Sequence, residues 1–274
     1  MKVAALQYTA RDSRRETSEI ALRLIEQACD RGADFICLPE CANFLATNKA
    51  SLFAKAETEA SSGILAMAQN IAKQRQVTLS LGSLMMRGDD DETDNRIANR
   101  HYIIAKDGSI TARYDKIHMF DANVNDGKRY RESNSFKPGT KAVMTSIEGH
   151  KTGLSICYDV RFAQLYHHYA SQQAEIILTP AAFTATTGAA HWHVLQRSRA
   201  IETGAFIIAA AQKGTHDDGR QTYGHALIID PWGRVLDDAG QEGDMAMADL
   251  DFAQVTKARA SLTAWCNQSA DFLK

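Results

Sequence analysis

Short apolar runs alternate with amphipathic stretches along the chain, and the order of these periods predicts its elements. Val3–Tyr8 is apolar on both faces, with Val3 and Ala5 on one and Ala4 and Leu6 on the other, as in a strand of a covered sheet. Residues Thr17–Arg31 repeat apolar positions at Ile20, Leu24 and Ala28, backed by Ala21 and Ile25. That spacing predicts a helix with one buried stripe, stopped by Gly32. Asp34–Leu38 is a short buried strand ended by Pro39, Ser61–Gln76 a second helix, and Val77–Gly82 and Arg100–Ala105 further strands. Asp107-Gly108 turns the chain into Ile110–Tyr114.

The same order then recurs. Thr152–Tyr158 reads as a strand, Phe162–Gln172 as a helix, and Ala174–Leu178 as a strand followed by Pro180. His191–Thr203 is a helix stopped by Gly204, and Ala205–Ala211 a strand. Ala226–Asp230 and Arg234–Leu236 form a hairpin about Pro231-Trp232-Gly233. ADFICLPECANF is echoed by AEIILTPAAF, and YIIAKDGSITARY by ALIIDPWGRVLDD. Two β-α-β-α-β-β units imply an α/β protein, a four-layer α-β-β-α sandwich with a pseudo-twofold axis. No Pro/Gly/Ser-rich linker separates the halves, so residues 1–274 are expected to form a single domain, with the acidic stretch Arg87–Arg96 as a solvated loop.

Composition narrows the partners. A net charge of −2 without long runs of one sign speaks against nucleic acid or an anionic membrane. No stretch approaches 18 apolar residues, and the N-terminal sequence lacks a signal-peptide pattern. The cysteines Cys29, Cys37, Cys41, Cys157 and Cys266 form no regular framework, so a cytoplasmic protein with free thiols is expected.

Three segments place a reactive residue at or just after a strand end: Leu38-Pro39-Glu40, Tyr114-Asp115-Lys116-Ile117-His118 and Ser155-Ile156-Cys157-Tyr158-Asp159. Ligands of open α/β sheets sit outside the carboxyl ends of strands. A thiol, an acid and an ammonium meeting there would make a covalent catalyst. The carboxylate can take the proton of Cys157, and the lysine favours the thiolate. The Lys116 ammonium and the Tyr158 N–H are candidates to stabilise an oxyanion.

These segments resemble the signatures of the nitrilase superfamily of carbon–nitrogen hydrolases: LPE, Y-x-K-x-H-x-F and x-I-C-Y-D-x-R-F, in family order, within a likeness running from Val3 to about Asp251. The resemblance implies the α-β-β-α sandwich, catalysis by Glu40, Lys116 and Cys157, and no metal or organic cofactor. It also implies a homodimer or larger even homo-oligomer. Tyr130-Arg131-Glu132 through Phe136-Lys137-Pro138-Gly139 matches a further motif and makes Glu132 a supporting residue that positions Lys116 or the substrate.

Within the superfamily, Pro180–His216 and Tyr223–Gly233 are similar to the Nit amidases. Two activities occur in that group. One cleaves the amide joining an α-ketoglutaryl unit to Cys-Gly in deaminated glutathione, and is expected here. The other, the alternative, is ω-amidase action on α-ketoglutaramate or α-ketosuccinamate. Both present an α-keto acid, so Arg161 is the candidate carboxylate ligand, with Phe183 and Thr187 as further substrate-binding candidates. The chain departs from relatives at His193, where an acidic residue is usual after Ala-His-Trp, and at Ala163-Gln164, where Pro-Glu is usual.

Each residue also has a plainer reading. A lone cysteine is most often core, a lone lysine a solvated charge, and Cys37 and Cys41 read as small core residues. His191-x-His193 and His167-His168 lack further ligands in a fixed pattern, which favours a structural role over zinc. Trp232 and Trp265 read as subunit-interface candidates. A non-catalytic amidase-like binding module would predict damage to the Glu–Lys–Cys set, and all three residues are intact.

Overall fold

The computed structural model describes residues 1–88, 94–124, 127 and 129–266. Residues 89–93 of the acidic stretch lie outside them, so the question of a gate there falls outside the described residues as well.

The first half runs through strand Lys2–Tyr8, helix Arg14–Asp30, strand Phe35–Cys37, helix Gly63–Arg75 and strand Thr78–Ser80, closing in the hairpin Ala98–Ile104/Ile110–Asp115. The second runs through His150–Leu154, Ala163–Ser171, Ile176–Leu178, Ala185–Thr203 and Phe206–Ala209, closing in Leu227–Ile229/Val235–Asp238. Strand registers match between halves: Val3 pairs with Phe35 in parallel as Thr152 pairs with Ile176. Among the described residues the strands gather into a nine-stranded, a six-stranded and a small two-stranded sheet.

Period-two alternation builds the layers. Val3, Ala5, Phe35 and Cys37 join one apolar cluster with the six-stranded sheet, including Ile176, Ile177, Leu178 and Phe206. Ala4, Leu6, Ile36 and Leu38 face the other way, onto Leu24, Ile25, Ile64, Leu65 and Ile71 of helices Arg14–Asp30 and Gly63–Arg75. Tyr166, Tyr169, Trp192 and Ala200 bring the helices of the second half onto its sheet. The result is the α-β-β-α sandwich, with helices outside two facing sheets.

Local features differ from the sequence reading: the strand read as Ala205–Ala211 ends at Ala209, and Ala211 opens a strand of the other sheet. The strand read as Thr152–Tyr158 ends at Leu154, and Cys157 opens a short 3-10 turn, Cys157–Arg161. The helix read as starting at His191 begins at Ala185, because the Thr184 side chain accepts from the Thr187 N–H and caps it. A further strand, Met245–Asp249, pairs antiparallel with Lys2–Tyr8. Among the described residues, no helix is long and apolar enough to cross a membrane.

Candidate active site

Glu40, Lys116 and Cys157 are far apart in sequence, yet backbone bonds anchor each to the same region. The Leu38 N–H donates to Ser80 O (2.8 Å), the Ala42 N–H to Ser83 O (2.7 Å), and the Gln212 Nε2–H to the carbonyl of Glu40 (2.9 Å). Lys116, one residue past a strand end, is pinned on both sides. Its N–H donates to Asn99 O (3.0 Å), and its carbonyl accepts from the Gly139 N–H (2.8 Å). A side chain at Gly139 would put Cβ 2.2 Å from the Asp115 carbonyl oxygen, which only glycine avoids.

Cys157 has a left-handed backbone, φ 47°, and its N–H donates to Pro180 O at 2.8 Å. Few non-glycine residues occupy this region, and strain there concentrates at functional positions. Buried Asp159 braces the turn. Its Oδ2 accepts from the Ile156 N–H (2.9 Å) and the Tyr114 hydroxyl (2.6 Å). Its Oδ1 accepts from the His118 N–H (3.0 Å) and lies 2.7 Å from His118 Nδ1. The His118 ring stacks on Phe162 at 3.5 Å. His118 thus belongs to the support of the site.

Four groups converge. The Lys116 ammonium donates to Glu40 Oε1 (2.8 Å) and to Glu132 Oε1 and Oε2 (3.0 and 2.9 Å). Glu40 Oε2 accepts from the Ala182 N–H (2.8 Å), and Cys157 lines the same cavity as that carboxylate. Glu132 also accepts from the Phe120 N–H at 2.6 Å, and the Asn99 amide donates to both Glu40 (2.9 Å) and Glu132 (3.3 Å). Two carboxyl groups thus surround one ammonium, and amide donors hold them in place.

That balance fixes the protonation states. Burial pushes the Glu40 carboxyl up, but the Lys116 charge and hydrogen bonds from Lys116, Cys157 and Ala182 outweigh it and hold it below the usual carboxylate range. Burial, reinforced by the Glu40 charge, drives the Cys157 thiol well above its usual value despite Lys116. Burial would lower Lys116, yet Glu132 and Glu40 raise it well above the ordinary lysine value. The resting pair is therefore thiol and carboxylate. Lys116 favours the thiolate as expected, but desolvation and the adjacent carboxylate disfavour the anion more strongly.

The ammonium's three bonds all go to carboxylates, one to Glu40 and two to Glu132. The Tyr158 N–H lies in the first turn after Cys157, where N–H groups have no intrahelical acceptor.

Cys157 opens onto a cavity of about 310 Å³ that also touches Glu40, Lys116, Glu132, Arg161, Phe183 and Thr187. The Arg161 guanidinium lies 5.7 Å from the Tyr158 ring centroid and 5.1 Å from that of Phe183. Both of its terminal nitrogens reach His191 Nδ1 at 3.4 Å, an imidazole where a carboxylate would be the stronger partner. The Thr187 and Thr184 hydroxyls are 2.7 Å apart.

All eight candidate residues therefore meet at one cavity. Sequence reasoning passed over Asn99, Asp159, Gln212 and Cys41. Asp159 lies inside the quoted cysteine motif and so left a signal, whereas Asn99 sits beside Arg100 and His101 in strand Ala98–Ile104 and left none. Cys41, read as core, lines the cavity with φ 59°.

Paired sheets bring a thiol, a carboxylate and an ammonium to facing strand ends of an α-β-β-α sandwich, the frame of a hydrolase site. Residues 2–260 match the carbon-nitrogen hydrolase family. A protein of Synechocystis sp. named deaminated glutathione amidase is 39% identical, with 94% of each chain covered. A mouse protein of the same name is 35% identical over 98% of this chain and 83% of its own. The crystal structure of the C. elegans NitFhit protein superposes with a TM-score of 0.91 at 34% identity, covering 99% of this chain and 65% of that one. Saccharomyces cerevisiae Nit3, described as a member of branch 10 of the nitrilase superfamily, gives 0.84 at 26% identity, covering 96% and 94%. The chain belongs to the carbon–nitrogen hydrolase family, the nitrilase superfamily, and is a hydrolase of non-peptide carbon–nitrogen bonds.

Proposed function

We propose that this enzyme hydrolyses the amide of an α-keto dicarboxylic acid through a thioester on Cys157, with deaminated glutathione as substrate. One observation carries the mechanism: Cys157 and Glu40 line the same cavity, and the Lys116 ammonium donates to that carboxylate at 2.8 Å and keeps it ionised. As Sγ attacks the amide carbonyl, Glu40 takes the thiol proton. The Tyr158 N–H meets the oxyanion, with the Lys116 charge behind it. Glu40 then passes the proton to the leaving amine, the C–N bond breaks, and a thioester remains. Water attacks the thioester, Glu40 accepts its proton and returns one to sulfur, and the carboxylic acid leaves.

The substrate assignment rests on the relatives named deaminated glutathione amidase and on Arg161 at the cavity wall. A guanidinium held between two aromatic rings, with only an imidazole nitrogen on its terminal nitrogens among the described residues, is available to a substrate carboxylate. Phe183 and Thr187 would complete that wall. Arg161→Lys keeps the charge and loses the fork. It should raise KM for keto-acid amides roughly tenfold while sparing a neutral amide. Equal losses on both would remove the carboxylate role.

The deciding experiment compares kcat/KM for deaminated glutathione and α-ketoglutaramate on one preparation. A preference for the first supports the assignment, and the reverse order moves the enzyme to the ω-amidase alternative. We further propose an even homo-oligomer. Val194 and Ile201, seven residues apart on one helix face, and Trp232 beside them are exposed apolar side chains that a second copy would cover. Trp265 instead lies under the Arg259 guanidinium at 4.8 Å within the same chain.

A further inference from the structure

Away from the cavity, three side chains from three elements converge on one point. His193 projects from the helix Ala185–Thr203, His225 from the loop before strand Leu227–Ile229, and Asp238 ends strand Val235–Asp238. His193 Nε2 lies 3.0 Å from Asp238 Oδ2, and His225 Nδ1 lies 3.0 Å from both carboxylate oxygens. One nitrogen of each ring and one carboxylate oxygen all fall within 4.8 Å of one another. Ligands about 2.0–2.1 Å from a tetrahedral zinc ion stand roughly 3.3 Å apart, so small side-chain shifts would bring these atoms onto one ion.

The site is built around His225. Its backbone is left-handed, φ 58°, its N–H donates to Gly240 O (2.9 Å), and its carbonyl accepts from Trp192 Nε1 (2.8 Å). Its ring stacks on Tyr223 with centroids 4.5 Å apart and planes at 21°. Position and ring plane are thus set by contacts other than Asp238. Asp238 Oδ1 is oriented independently by the Gly240 N–H at 2.8 Å. Oriented ligands with their own supporting hydrogen bonds are what a metal site requires. All three side chains are half-buried, which leaves a path for an ion and a water ligand.

We propose that His193, His225 and Asp238 form a binding site for a divalent transition metal of the zinc class, separate from the catalytic cavity and tying the long helix to the closing hairpin. Two imidazole nitrogens and one carboxylate oxygen suit zinc, cobalt or nickel better than the hard cations calcium and magnesium. The ion would replace the hydrogens now shared between the rings and Asp238, and water would take its open position. His191, the other half of the sequence pair, takes no part because it faces Arg161.

The test uses the full-length, tag-free, metal-stripped enzyme, with Zn(II) and Co(II) as probes. Titration should give one equivalent per chain. His193→Gln and Asp238→Asn should each weaken binding at least about 100-fold, with unchanged far-UV circular dichroism. His193 is a partly exposed helix residue, so its variant folds even where Asp238→Asn loosens the turn. Bound Co(II) should show visible d–d bands without sulfur-to-cobalt charge transfer, and Zn(II) should raise the Tm of the parent only. Unaltered binding in His193→Gln, no binding by the parent, or a sulfur charge-transfer band that places the ion on a cysteine would overturn the proposal.

Discussion

In the first half of the chain the strand end at Pro39 leads into Glu40; in the second, the matching end at Pro180 leads into Ala181. The paired registers fix this equivalence, and so do matching bonds: Leu38 N–H to Ser80 O at 2.8 Å and Thr179 N–H to Ile208 O at 2.9 Å. The same registers place Cys157 opposite Tyr8, whose hydroxyl does no more than donate to Ala42 O at 3.2 Å. Each half thus offers two equivalent strand ends and arms one of them, the first with the acid and the second with the sulfur. Crossing the halves lets Glu40 and Cys157 meet across the interface, and the Ala182 N–H, next to the silent Ala181, binds Glu40. A duplicated scaffold supplies position twice, and chemistry needs each position only once.

The sharpest break of that complementarity removes sulfur from the armed end of the second half. Cys157→Ala should lower kcat by about 10⁴-fold or more, since the covalent route is lost while the other groups remain. The fold should persist, because losing a small side chain at a cavity wall opens little new space. Single-turnover assays with unchanged circular dichroism check both, and retention of wild-type turnover removes Cys157 as nucleophile. Glu40→Gln is next. It leaves the thiol and removes its base, and should cost about 10²–10⁴-fold in kcat, with KM changed far less. A loss confined to KM would make Glu40 a binding residue.

How much of this was legible before the structure follows the same division. The repeat was readable because both halves use continuous apolar runs followed by Pro, a local signal. Glu40, Lys116, Glu132 and Cys157 were readable because each sits in a short motif. Met245–Asp249 was not, because its alternation is weak and its partner, Lys2–Tyr8, lies at the other end of the chain. The first turns of the long helix were hidden by Thr-rich sequence and by Gly188, which resembles a loop. That glycine answers to packing, since a Cβ there would stand 2.3 Å from the Tyr223 Cβ. The His193–His225–Asp238 cluster was out of reach because its side chains come from three elements, and His191-x-His193 by itself favoured a structural role.

The bracing of the two ends also differs. Asp159, with four hydrogen-bond contacts, supports the cysteine turn, and the equivalent position in the first half is Ala10. Asp159→Asn puts an amide NH₂ where two of those donors now meet oxygen. It should cost about 1–3 kcal/mol of stability and lower kcat through a misplaced Cys157. Denaturant unfolding combined with kinetics tests this, and an unchanged midpoint would show the brace to be dispensable.

A smaller and more graded contrast lies in the closing hairpins, where His101 of the first half matches Ala226 of the second. His101 is fully buried, 2.7 Å from the Ser80 hydroxyl, and burial pushes its pKa down to about 3. A histidine in the unfolded chain titrates near 6.5, so between those values the unfolded state binds one more proton than the folded state. This contribution is intact above about pH 6.5 and is lost as pH falls toward 3, at up to about 1.4 kcal/mol per pH unit. Glu40, also held low, adds its own loss only below the ordinary glutamate range near about pH 4.3. Stability measured by urea unfolding should therefore decline from about pH 6 and steepen below about 4.5. His101→Asn should be less stable at neutral pH, having lost a packed ring, but flatter between pH 6 and 4.5. An equal slope in the variant would assign the acid sensitivity to other groups and erase this difference between the halves.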